Sequence, residues 1–287
     1  MHLSTRQLAA FVEVARTLSF TKAARRLNVT QSALSQRIRK LEEELGAALL
    51  IRSHNGVRLT DTGWRILRFC EARKILEEEI VADLSSDKPG ELAGLIRIAA
   101  DSCILRPVLI PVLAPLLRAN PLVQCELIIA EGRDLPQVLK RGEADFVIMD
   151  RCLDWSALTT TSLGKQVYLA IESAQYPTRK EIYLDLEPDD RITELFFQHQ
   201  TRPVPAYRRS YLSDVFGIID GVVNGLGRAV VARHLIRNVS GLRILRRYRP
   251  WTVTVTAHYY TQPYYTRLHQ AVLEILKQDF GKVLQQK

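Results

Sequence analysis

The sequence is poor in cysteine and lacks the short motifs that mark common catalytic and metal sites. Its four cysteines, Cys70, Cys103, Cys125 and Cys152, are far apart and form no Cys-x-x-Cys pair. This spacing argues against a paired-cysteine metal site and a disulfide framework. Because no secretory signal is recognisable, we expect free thiols and a cytoplasmic protein.

No HExxH, GxSxG or P-loop pattern occurs, and the six histidines are scattered. Catalytic groups can be assembled from distant residues, so this absence weakens an enzyme hypothesis without removing it. We expect a protein that is not an enzyme and that has no metal and no cofactor. Cys103 could be a redox sensor in an electropositive setting, but a buried inert thiol is the favoured interpretation.

Long uninterrupted apolar runs are also missing. A membrane-spanning helix needs about 18 or more consecutive apolar residues. The run from Ile104 to Leu117 is interrupted by Arg106 and three prolines. We therefore expect this run to be a core helix, and we expect no membrane partner.

Positive charge is in excess, and it is unevenly placed. The chain of 287 residues has a formal net charge of +9. Residues 1–58 hold 10 basic and 4 acidic side chains, residues 59–90 hold 5 and 7, and residues 91–287 hold 25 and 20. A basic amino-terminal fifth is expected of a domain that meets phosphates, although an ordinary solvated face would also fit.

Residues 19–45 predict a helix, a tight turn and a second helix. In the second helix, apolar residues recur at spacings of four, three and four, at Leu34, Ile38, Leu41 and Leu45. This spacing predicts one buried stripe. The opposite face carries Ser32, Ser35, Gln36 and Arg39, which are hydroxyl, amide and guanidinium groups of the kind that read a DNA major groove. A surface helix that never meets nucleic acid would show the same periodicity.

The next segment predicts a hairpin and a long helix. Residues 48–52 and 57–59 flank His54-Asn55-Gly56, and Asn-Gly takes the positive φ that a tight hairpin turn requires. Thr60 is the expected cap of the following helix. The order helix, turn, helix, hairpin is that of a winged helix.

At this point the run from Phe11 to Arg68 resembles the DNA-binding half of a LysR-type transcriptional regulator. The matching residues are Ser19-Phe20-Thr21, Ala23-Ala24, Leu27, Gln31-Ser32-Ala33-Leu34-Ser35, Ile38, Leu41-Glu42, Leu45-Gly46, Arg52, Leu59-Thr60 and Gly63. One departure is Leu50-Ile51, where the family usually has Leu-Phe. The resemblance implies binding to double-stranded DNA as a homodimer, with pairs of dimers bending the DNA, and RNA polymerase as a further partner.

Nine residues are candidates for DNA contact: Ser19, Thr21, Thr30, Gln31, Ser32, Ser35, Gln36, Arg39 and Arg52. Ser19, Thr21 and Thr30 are also candidate helix caps, and the two roles are compatible. We expect Gln36 and Arg39 to contact bases, since Gln pairs with adenine and Arg with guanine. Ser35 and Arg52 are expected on phosphate.

A long helix from Thr60 to about Leu84 carries an apolar stripe of Ile66, Phe69, Leu76, Ile80 and Leu84. The stripe is long enough to pair two subunits whose other domains also associate, and the resemblance implies the same. Packing within one chain is the alternative. Residues 85–90 contain Ser-Ser-Asp-Lys-Pro-Gly, which predicts a hinge.

Past the hinge, apolar strands alternate with helices. Strands are predicted at 94–100, 123–130, 146–149, 167–171, 183–184, 228–231 and 253–259, and helices at 103–119, 213–224 and 268–284. Up to residue 149 this alternation predicts a parallel α/β sheet, and a second α/β unit is predicted from about residue 163. We divide the chain into a winged helix-turn-helix domain (1–59), a linker and dimerisation helix with hinge (60–90) and an effector-binding domain (91–287). Its subdomain I is about 91–161 with 266–287, and subdomain II is about 162–265.

Two such units resemble the clamshell of periplasmic binding proteins, with a small-molecule effector in the cleft. Helix N-termini at 101–103 and 213–214 are expected to face the cleft, where unpaired amides favour anionic groups. Candidate effector contacts are Ser102, Cys103, Arg133, Asp134, Asp150, Arg151, Ser213 and Asp214. Each could instead be an ordinary cap or a solvated loop charge.

The leading hypothesis is a sequence-specific DNA-binding regulator controlled by a small molecule. A cytosolic solute-binding module without specific DNA binding is the alternative, and a cytosolic enzyme using the cleft is a third. Salt-dependent DNA affinity separates the first hypothesis from the second. Turnover that is insensitive to Arg39→Ala would indicate the third.

Overall fold

The computed structural model describes residues 3–53, 56–85, 92–201 and 206–285. The amino-terminal part is made of α1 Thr5–Thr17, α2 Phe20–Arg26, α3 Gln31–Leu45, β1 Leu50–Ser53 and β2 Gly56–Leu59. The apolar stripe predicted for α3 is confirmed, since Leu34, Ile38 and Leu41 are fully buried. Together with residues of α1 and α2 they form one small hydrophobic core.

The predicted hairpin is confirmed, and its register pairs Leu50 with Leu59. Its first strand begins two residues later than the prediction, because the backbone amides of Leu49 and Leu50 donate to the Glu42 carboxylate of α3, at 2.7 and 3.1 Å. The turn residues His54 and Asn55 lie outside the described residues. The order of elements is that of a winged helix-turn-helix.

The linker helix, α4, spans Asp61–Ser85. The predicted cap is confirmed, because Thr60 Oγ1 accepts the amide of Gly63 at 2.9 Å and donates to the Ala48 carbonyl at 2.7 Å. A Cβ at Gly63 would come within 2.2 Å of the Leu49 carbonyl oxygen. Only glycine therefore lets α4 start so close to the hairpin.

The apolar stripe of α4 is only partly covered by its own chain. Ile66 packs against the amino-terminal core, whereas Phe69 is 48% exposed and Ile80 is 61% exposed. Packing within one chain therefore does not account for these two residues. The side chain of Leu84 and the predicted hinge at 86–90 lie outside the described residues.

The carboxy-terminal part has strands β3 Gly94–Ala100, β4 Val123–Ile129, β5 Phe146–Met149, β6 Leu158–Ser173, β7 Ile182–Asp185, β8 Arg208–Tyr211, β9 Ala229–Ala232, β10 Leu242–Ile244 and β11 Trp251–Tyr260. Its helices are α5 Ser102–Ile104, α6 Ile110–Ala119, α7 Leu135–Lys140, α8 Ile192–Gln198, α9 Val215–Val223 and α10 Arg267–Gln285.

The main sheet has the order β10-β6-β11-β5-β3-β4, and β9 also pairs with β6. The predicted parallel sheet is confirmed for β3, β4 and β5, whereas β11 pairs antiparallel with both β5 and β6. No helix lies between β5 and β6, so β6 is not placed beside β5 by a helical crossover. Instead it pairs antiparallel with β11, which inserts beside β5.

The two long strands were predicted as shorter segments. β6 has 16 residues and β11 has 10, and they pair along ten positions with one irregularity between Val255 and Thr256. Buried residues on one part of these strands join a core with β3, α6 and α10. Those on the other part join a second core with β7, α8 and α9. The predicted domain and subdomain boundaries stay predictions.

The helical run Ser102–Ala119 is irregular in its middle. Leu105–Leu109 forms a π-helical turn between α5 and α6. Pro107, Pro111 and Pro115 lack the amide hydrogens that an α-helix uses, which accounts for the irregularity. By length and composition alone the run could cross a membrane, yet Val108, Leu109 and their neighbours are buried in the core under the sheet. The expected core helix is confirmed.

Candidate nucleic-acid interface and regulatory cleft

The outer face of α3 presents the side chains that the sequence singled out. Thr30 is the N-cap, and its hydroxyl accepts the amide of Ala33 at 3.2 Å. Gln31, Ser32, Gln36 and Arg39 are exposed, and Ser35 is half-buried. An exposed polar face on the second helix of a helix-turn-helix is the surface that such units insert into a major groove.

Arg52, in β1 close to the turn of the hairpin, contacts α2 and α3. Its guanidinium carbon is 4.1 Å from the centre of the Phe20 ring, and its Nη2 donates to Ser35 Oγ at 3.0 Å. The Phe20 ring and the Ser35 hydroxyl therefore hold the exposed guanidinium of Arg52 beside α3. Arg52 and Ser35 were both expected to contact phosphate, and in the structure their side chains form a hydrogen bond.

The two hydroxyls near the start of α2 have different positions. Ser19 is the N-cap, with its Oγ accepting the amide of Lys22 at 3.3 Å. Thr21 is not a cap, because α2 begins at Phe20 and Ser19 already occupies that position. Its hydroxyl is exposed and donates to Gln31 Oε1 at 3.3 Å, which links the first turns of α2 and α3.

In the carboxy-terminal part, acidic side chains converge where β3, β4 and β5 end. Asp101 follows β3, Glu131 follows β4 and Asp150 follows β5. Burial, with Asp150 and Glu131 nearby, raises the pKa of Asp101 to about 7. Burial also raises the pKa of Glu131, as do Glu187 and Asp190. The cleft thus concentrates negative charge contributed by distant parts of the chain.

The side chains of Tyr168 and Gln166, both in β6, form a hydrogen-bonded network with Asp150. Tyr168 donates to Asp150 Oδ2 at 3.1 Å and accepts from Gln166 Nε2 at 2.6 Å. Burial raises the pKa of Tyr168 well above its ordinary value, and so do Asp150 and Cys103. The Gln166 Oε1 atom is buried with no hydrogen-bond partner among the described residues. It is a free acceptor beside an acidic cluster.

The alternative interpretation of the two helix starts, an ordinary cap, describes the contacts of both Asp101 and Asp214. Asp101 Oδ1 accepts the amide of Ile104 at 2.9 Å, and Asp214 Oδ2 accepts the amide of Gly217 at 2.8 Å. Each helix start is therefore already occupied by a carboxylate of its own chain. An added anion would meet negative charge there.

Each remaining candidate of the cleft has its own position. Ser102 is half-buried in the first turn of α5. Burial raises the pKa of the Cys103 thiol well above its ordinary value, and Asp101 acts in the same direction, which opposes a reactive thiolate. Arg151 is exposed, and Ser213 and Asp214 are exposed at the start of α9. No described contact joins these last three side chains to the acidic cluster.

Arg133 joins the segment after β4 to the segment between β7 and α8. Its guanidinium lies 2.7 Å from Asp189 and 3.1 Å from Glu187, on the segment between β7 and α8. The neighbouring Asp134 is 3.8 Å away. All four side chains are at least partly exposed, so these pairs are weak in energy. They nonetheless place the guanidinium group of Arg133 beside carboxylates at the edge of the acidic cleft.

Sequence reasoning missed several residues of this cleft. Glu131, Tyr168, Glu187 and Asp190 were not among the candidates, and Gln166 was also absent. Glu131 could have been found, because it follows a predicted strand as Asp150 does. The others come from β6 and from a loop whose place depends on pairing between distant strands.

The linker helix connects this domain to the winged helix through one carboxylate. Glu71 of α4 lies 3.8 Å from Arg16 of α1 and 4.0 Å from Arg97 of β3. Arg68 of α4 also lies 4.1 Å from the Tyr260 ring centre and donates to the Lys140 carbonyl. The side chains of α4 thus contact both the amino-terminal and the carboxy-terminal parts of the chain.

Neither clustered metal ligands nor a disulfide occurs in the part of the chain that the structure describes. No group of three or more His, Cys, Asp or Glu side chains there could hold a metal ion. The four cysteines are free, and three of them are half-buried.

Comparison with known proteins gives two family profiles that match in succession. One, described as "Bacterial regulatory helix-turn-helix protein, lysR family", matches residues 5–64. The other, described as "LysR substrate binding domain", matches residues 89–281. Together the profiles account for most of the chain.

Among relatives, the chain is 31% identical over 160 residues to the "Uncharacterized HTH-type transcriptional regulator YcgK" of Bacillus subtilis, covering 55% of this chain and 49% of that protein. It is 31% identical over 177 residues to the "HTH-type transcriptional regulator ArgP" of Aeromonas salmonicida, covering 62% and 58%. The chain thus matches about half to three fifths of the length of these relatives.

Two solved structures share the fold over nearly the full length at 19% identity. ArgP of Mycobacterium tuberculosis superposes with a TM-score of 0.81, covering 99% of this chain and 98% of that one. Full-length LysG of Corynebacterium glutamicum "with bound effector Arg" superposes with a TM-score of 0.76, covering 98% of each chain. At this identity the likeness shows the fold alone.

Proposed function

The chain belongs to the LysR family of regulatory helix-turn-helix proteins, and from this premise we propose that it is a sequence-specific DNA-binding regulator of transcription. The observation that carries the proposal is the exposed polar face of α3 with Arg52 held beside it. Base-reading and phosphate-binding groups then lie on one surface. The protein acts in the cytoplasm, without catalysis and without a cofactor.

Two copies of the winged helix, joined through the exposed stripe of α4, present two recognition helices to an interrupted palindrome. Exposed Phe69 and Ile80 support this arrangement, because two large apolar side chains on one helix favour burial by a partner. Pairs of such dimers, as the family resemblance implies, form a tetramer that bends DNA. RNA polymerase is a further proposed partner.

The effector is proposed to be a small organic cation, with a basic amino acid such as arginine as the first choice. Asp101, Glu131 and Asp150 provide the negative charge, and Arg133 against Asp189 shows the preferred pairing for a guanidinium. The arginine named in the LysG structure supports the same choice. The effector shifts the angle between subdomains and thereby the half-sites that are occupied.

The test is a selection from random duplexes by the wild-type protein, followed by fluorescence anisotropy at two salt concentrations with and without arginine. A palindromic sequence whose affinity falls steeply with salt supports DNA recognition. Binding of arginine without any enriched sequence would instead indicate a solute-binding module. Enrichment that is indifferent to arginine, lysine and acidic amino acids would overturn the effector proposal and leave DNA recognition standing.

A further inference from the structure

The positive charge of the carboxy-terminal domain is concentrated in one stretch. Residues 221–273 contain eight arginines and no acidic residue. Residues 91–220 contain 14 basic and 18 acidic residues, a net charge of −4. A domain with an acidic cleft therefore also has a strongly basic segment. The cleft attracts cations, and the basic segment attracts anions.

Several of the eight arginines have structural roles that explain them. Arg228 is 4% exposed and donates to Glu172 at 2.7 Å, and Arg243 reaches the other oxygen of that carboxylate at 2.5 Å. Arg237 donates to the Leu284 carbonyl at 2.5 Å. The arginines between β10 and β11 have no such explanation.

Residues 245–250, which we name the arginine loop, present Arg246, Arg247 and Arg249 to solvent. No ion pair to any of the three occurs among the described residues of the chain. Three neighbouring guanidinium groups without counter-charge repel one another, and a solvated loop needs no such cluster. The cluster is a site of positive potential.

The arginine loop is fixed by its own packing. Leu245 is buried, and the Tyr248 ring packs 5.4 Å from that of Phe197. Gln200, in the segment after α8, binds the Arg249 backbone twice: its Oε1 accepts the Arg249 amide at 2.8 Å, and its Nε2 donates to the Arg249 carbonyl at 3.0 Å. The three guanidinium groups therefore project from an ordered support, which lowers the entropy lost when they bind.

Arg247 is also oriented by the aromatic side chain beside it. Its guanidinium carbon lies 4.7 Å from the Tyr248 ring centre, and its Nη2 donates to the Tyr248 hydroxyl at 2.9 Å. The remaining N–H groups of the planar guanidinium stay free to donate. A planar donor held in place suits a phosphate, which accepts two parallel hydrogen bonds.

We propose that the arginine loop is a second DNA-contacting surface, which binds the phosphate backbone of duplex flanking the sites bound by the winged helices. This inference rests on the proposed function, because the winged helices bring the duplex to the molecule. Once they are bound, the flanking phosphates are present at a high effective concentration. Weak contacts from each subunit then add to the affinity.

Charge and composition favour DNA over an acidic protein as the partner. A protein interface of ordinary size has an apolar centre. Within the described residues 242–251, Ile244 is the one large apolar side chain that is more than a third exposed. Phosphate binding needs no apolar centre, because its affinity comes from release of counterions.

The experiment compares the wild-type protein with R246Q/R247Q/R249Q on two duplexes that carry the same selected sites. One duplex ends at the outer half-sites, and the other extends about two helical turns beyond each. Affinity is measured by anisotropy over a series of salt concentrations. On the long duplex, the slope of log affinity against log salt should become shallower by about 2 to 3 in the variant. On the short duplex, the slopes should coincide.

The matched control is R191Q/K277Q/K282Q, which removes three charges from exposed side chains that pair with Glu194, Glu274 and Asp279. It should keep the wild-type slope on both duplexes. An unchanged slope for R246Q/R247Q/R249Q on the long duplex overturns the proposal, as does an equal change on both lengths or in the control. Loss of transcription activation with unchanged DNA affinity would assign the loop to a protein partner and would also overturn it.

The proposed function and this inference fail in different ways. If the wild-type protein selects no DNA sequence, the proposed function fails. If it selects a sequence but the two slopes agree on both duplexes, only the inference about the arginine loop fails. Thermal unfolding and circular dichroism of each variant show whether a loss of binding reflects a loss of folding.

Discussion

Arg52 Nη2 donates a hydrogen bond to Ser35 Oγ at 3.0 Å, and the guanidinium carbon of Arg52 lies 4.1 Å from the centre of the Phe20 ring. The contact joins the hairpin to the recognition helix at an exposed surface. A cation placed in this way can contact a phosphate at the edge of the groove that α3 enters.

The first prediction concerns this cation. Arg52→Lys keeps the charge and loses the planar group that stacks on Phe20 and donates to Ser35. We expect DNA affinity to fall by about tenfold, which is about 1.4 kcal/mol, and to fall equally on all DNA sequences because phosphate contacts carry no base information. Anisotropy on selected and scrambled duplexes measures both effects. Arg58→Lys, at an exposed position of β2, is the control, and equal affinities of the two variants would contradict the assigned role.

The second prediction separates bases from phosphates. Gln36→Ala and Arg39→Ala should each cost about 1 to 3 kcal/mol on the selected sequence and should relax preference at particular base pairs. A repeated selection with each variant identifies those positions. Lys40→Ala removes an exposed side chain of the same helix and should keep the wild-type sequence logo. Unaltered logos for the Gln36 and Arg39 variants would place the base contacts elsewhere.

The third prediction concerns pH and the effector. Burial, with Asp150 and Glu131 nearby, raises the pKa of Asp101 to about 7. Below this value the carboxyl is protonated and attracts a cation less. The affinity for arginine, measured by calorimetry, should therefore fall as the pH is lowered from 8 to 6.

Asp101→Asn keeps an oxygen for the Ile104 amide and removes the titration, so its affinity should be lower at pH 8 and should vary less with pH. Glu131→Gln is a companion variant, because burial also raises the pKa of Glu131. An Asp101→Asn profile that parallels the wild type would assign the pH dependence to another group.

The raised pKa of Asp101 also has a consequence for stability. The folded state binds a proton more tightly than the unfolded state, whose carboxyl has a pKa of about 3.9. Stability from this group is therefore fully present below the unfolded pKa, and it is lost as pH rises towards 7. Asp101→Asn should flatten this decline in urea denaturation of the ligand-free protein.

The fourth prediction concerns the buried carboxylate of Glu172, which accepts from Arg228 and Arg243. Burial opposes its charge, but these two arginines hold the pKa below its ordinary value. Glu172→Gln leaves Arg228 buried without a counter-charge and should lower the free energy of unfolding by about 3 to 5 kcal/mol at pH 7. Because the pKa is lowered, the stabilisation exists above the unfolded pKa and is lost as the pH falls through the folded one.

Urea denaturation measures this loss for Glu172→Gln. Glu194→Gln is the control, since the pair with Arg191 is exposed and should contribute far less to stability than the buried pair. Equal midpoints for the two variants would show that the buried pair contributes no more than the exposed one.

The fifth prediction concerns the stripe of α4. Phe69→Lys and Ile80→Glu place charges where a partner helix would cover apolar surface, so the dimer should dissociate in analytical ultracentrifugation. Affinity for a duplex with two half-sites should fall far more than affinity for a single half-site. Arg73→Gln, on the same helix, removes an exposed pair with Glu77 and should leave the dimer intact. Dimers that persist in both charged variants would place the interface elsewhere.

The sequence predicted the amino-terminal part well because its contacts are local. Thr30 and Leu34 belong to one helix, and the cap and the stripe follow from spacing of a few residues. Arg52 and Ser35 are 17 residues apart, and the resemblance already placed both at the DNA surface. Thr21 is not a cap, because Ser19 occupies the N-cap position of α2.

The carboxy-terminal part was harder because its site is assembled across the chain. Glu131 and the two carboxylates near it, Glu187 and Asp190, are more than 50 positions apart in the sequence, and their proximity depends on the pairing of distant strands. The caps of the two helix starts show the same limit of a sequence pattern. The pattern identified helix starts, but it could not show that Asp101 and Asp214 would bind those amides themselves.

Because β6 and β11 run side by side through both hydrophobic cores, two covalent connections and their shared hydrogen bonds join the halves of the domain. Rotation of one half about a single strand would break that pairing, whereas bending of both strands together preserves it. Movement of one half relative to the other is then restricted to bending about one axis. A ligand bound between the two halves would act on this one coordinate, so we expect every subunit that binds it to bend in the same direction.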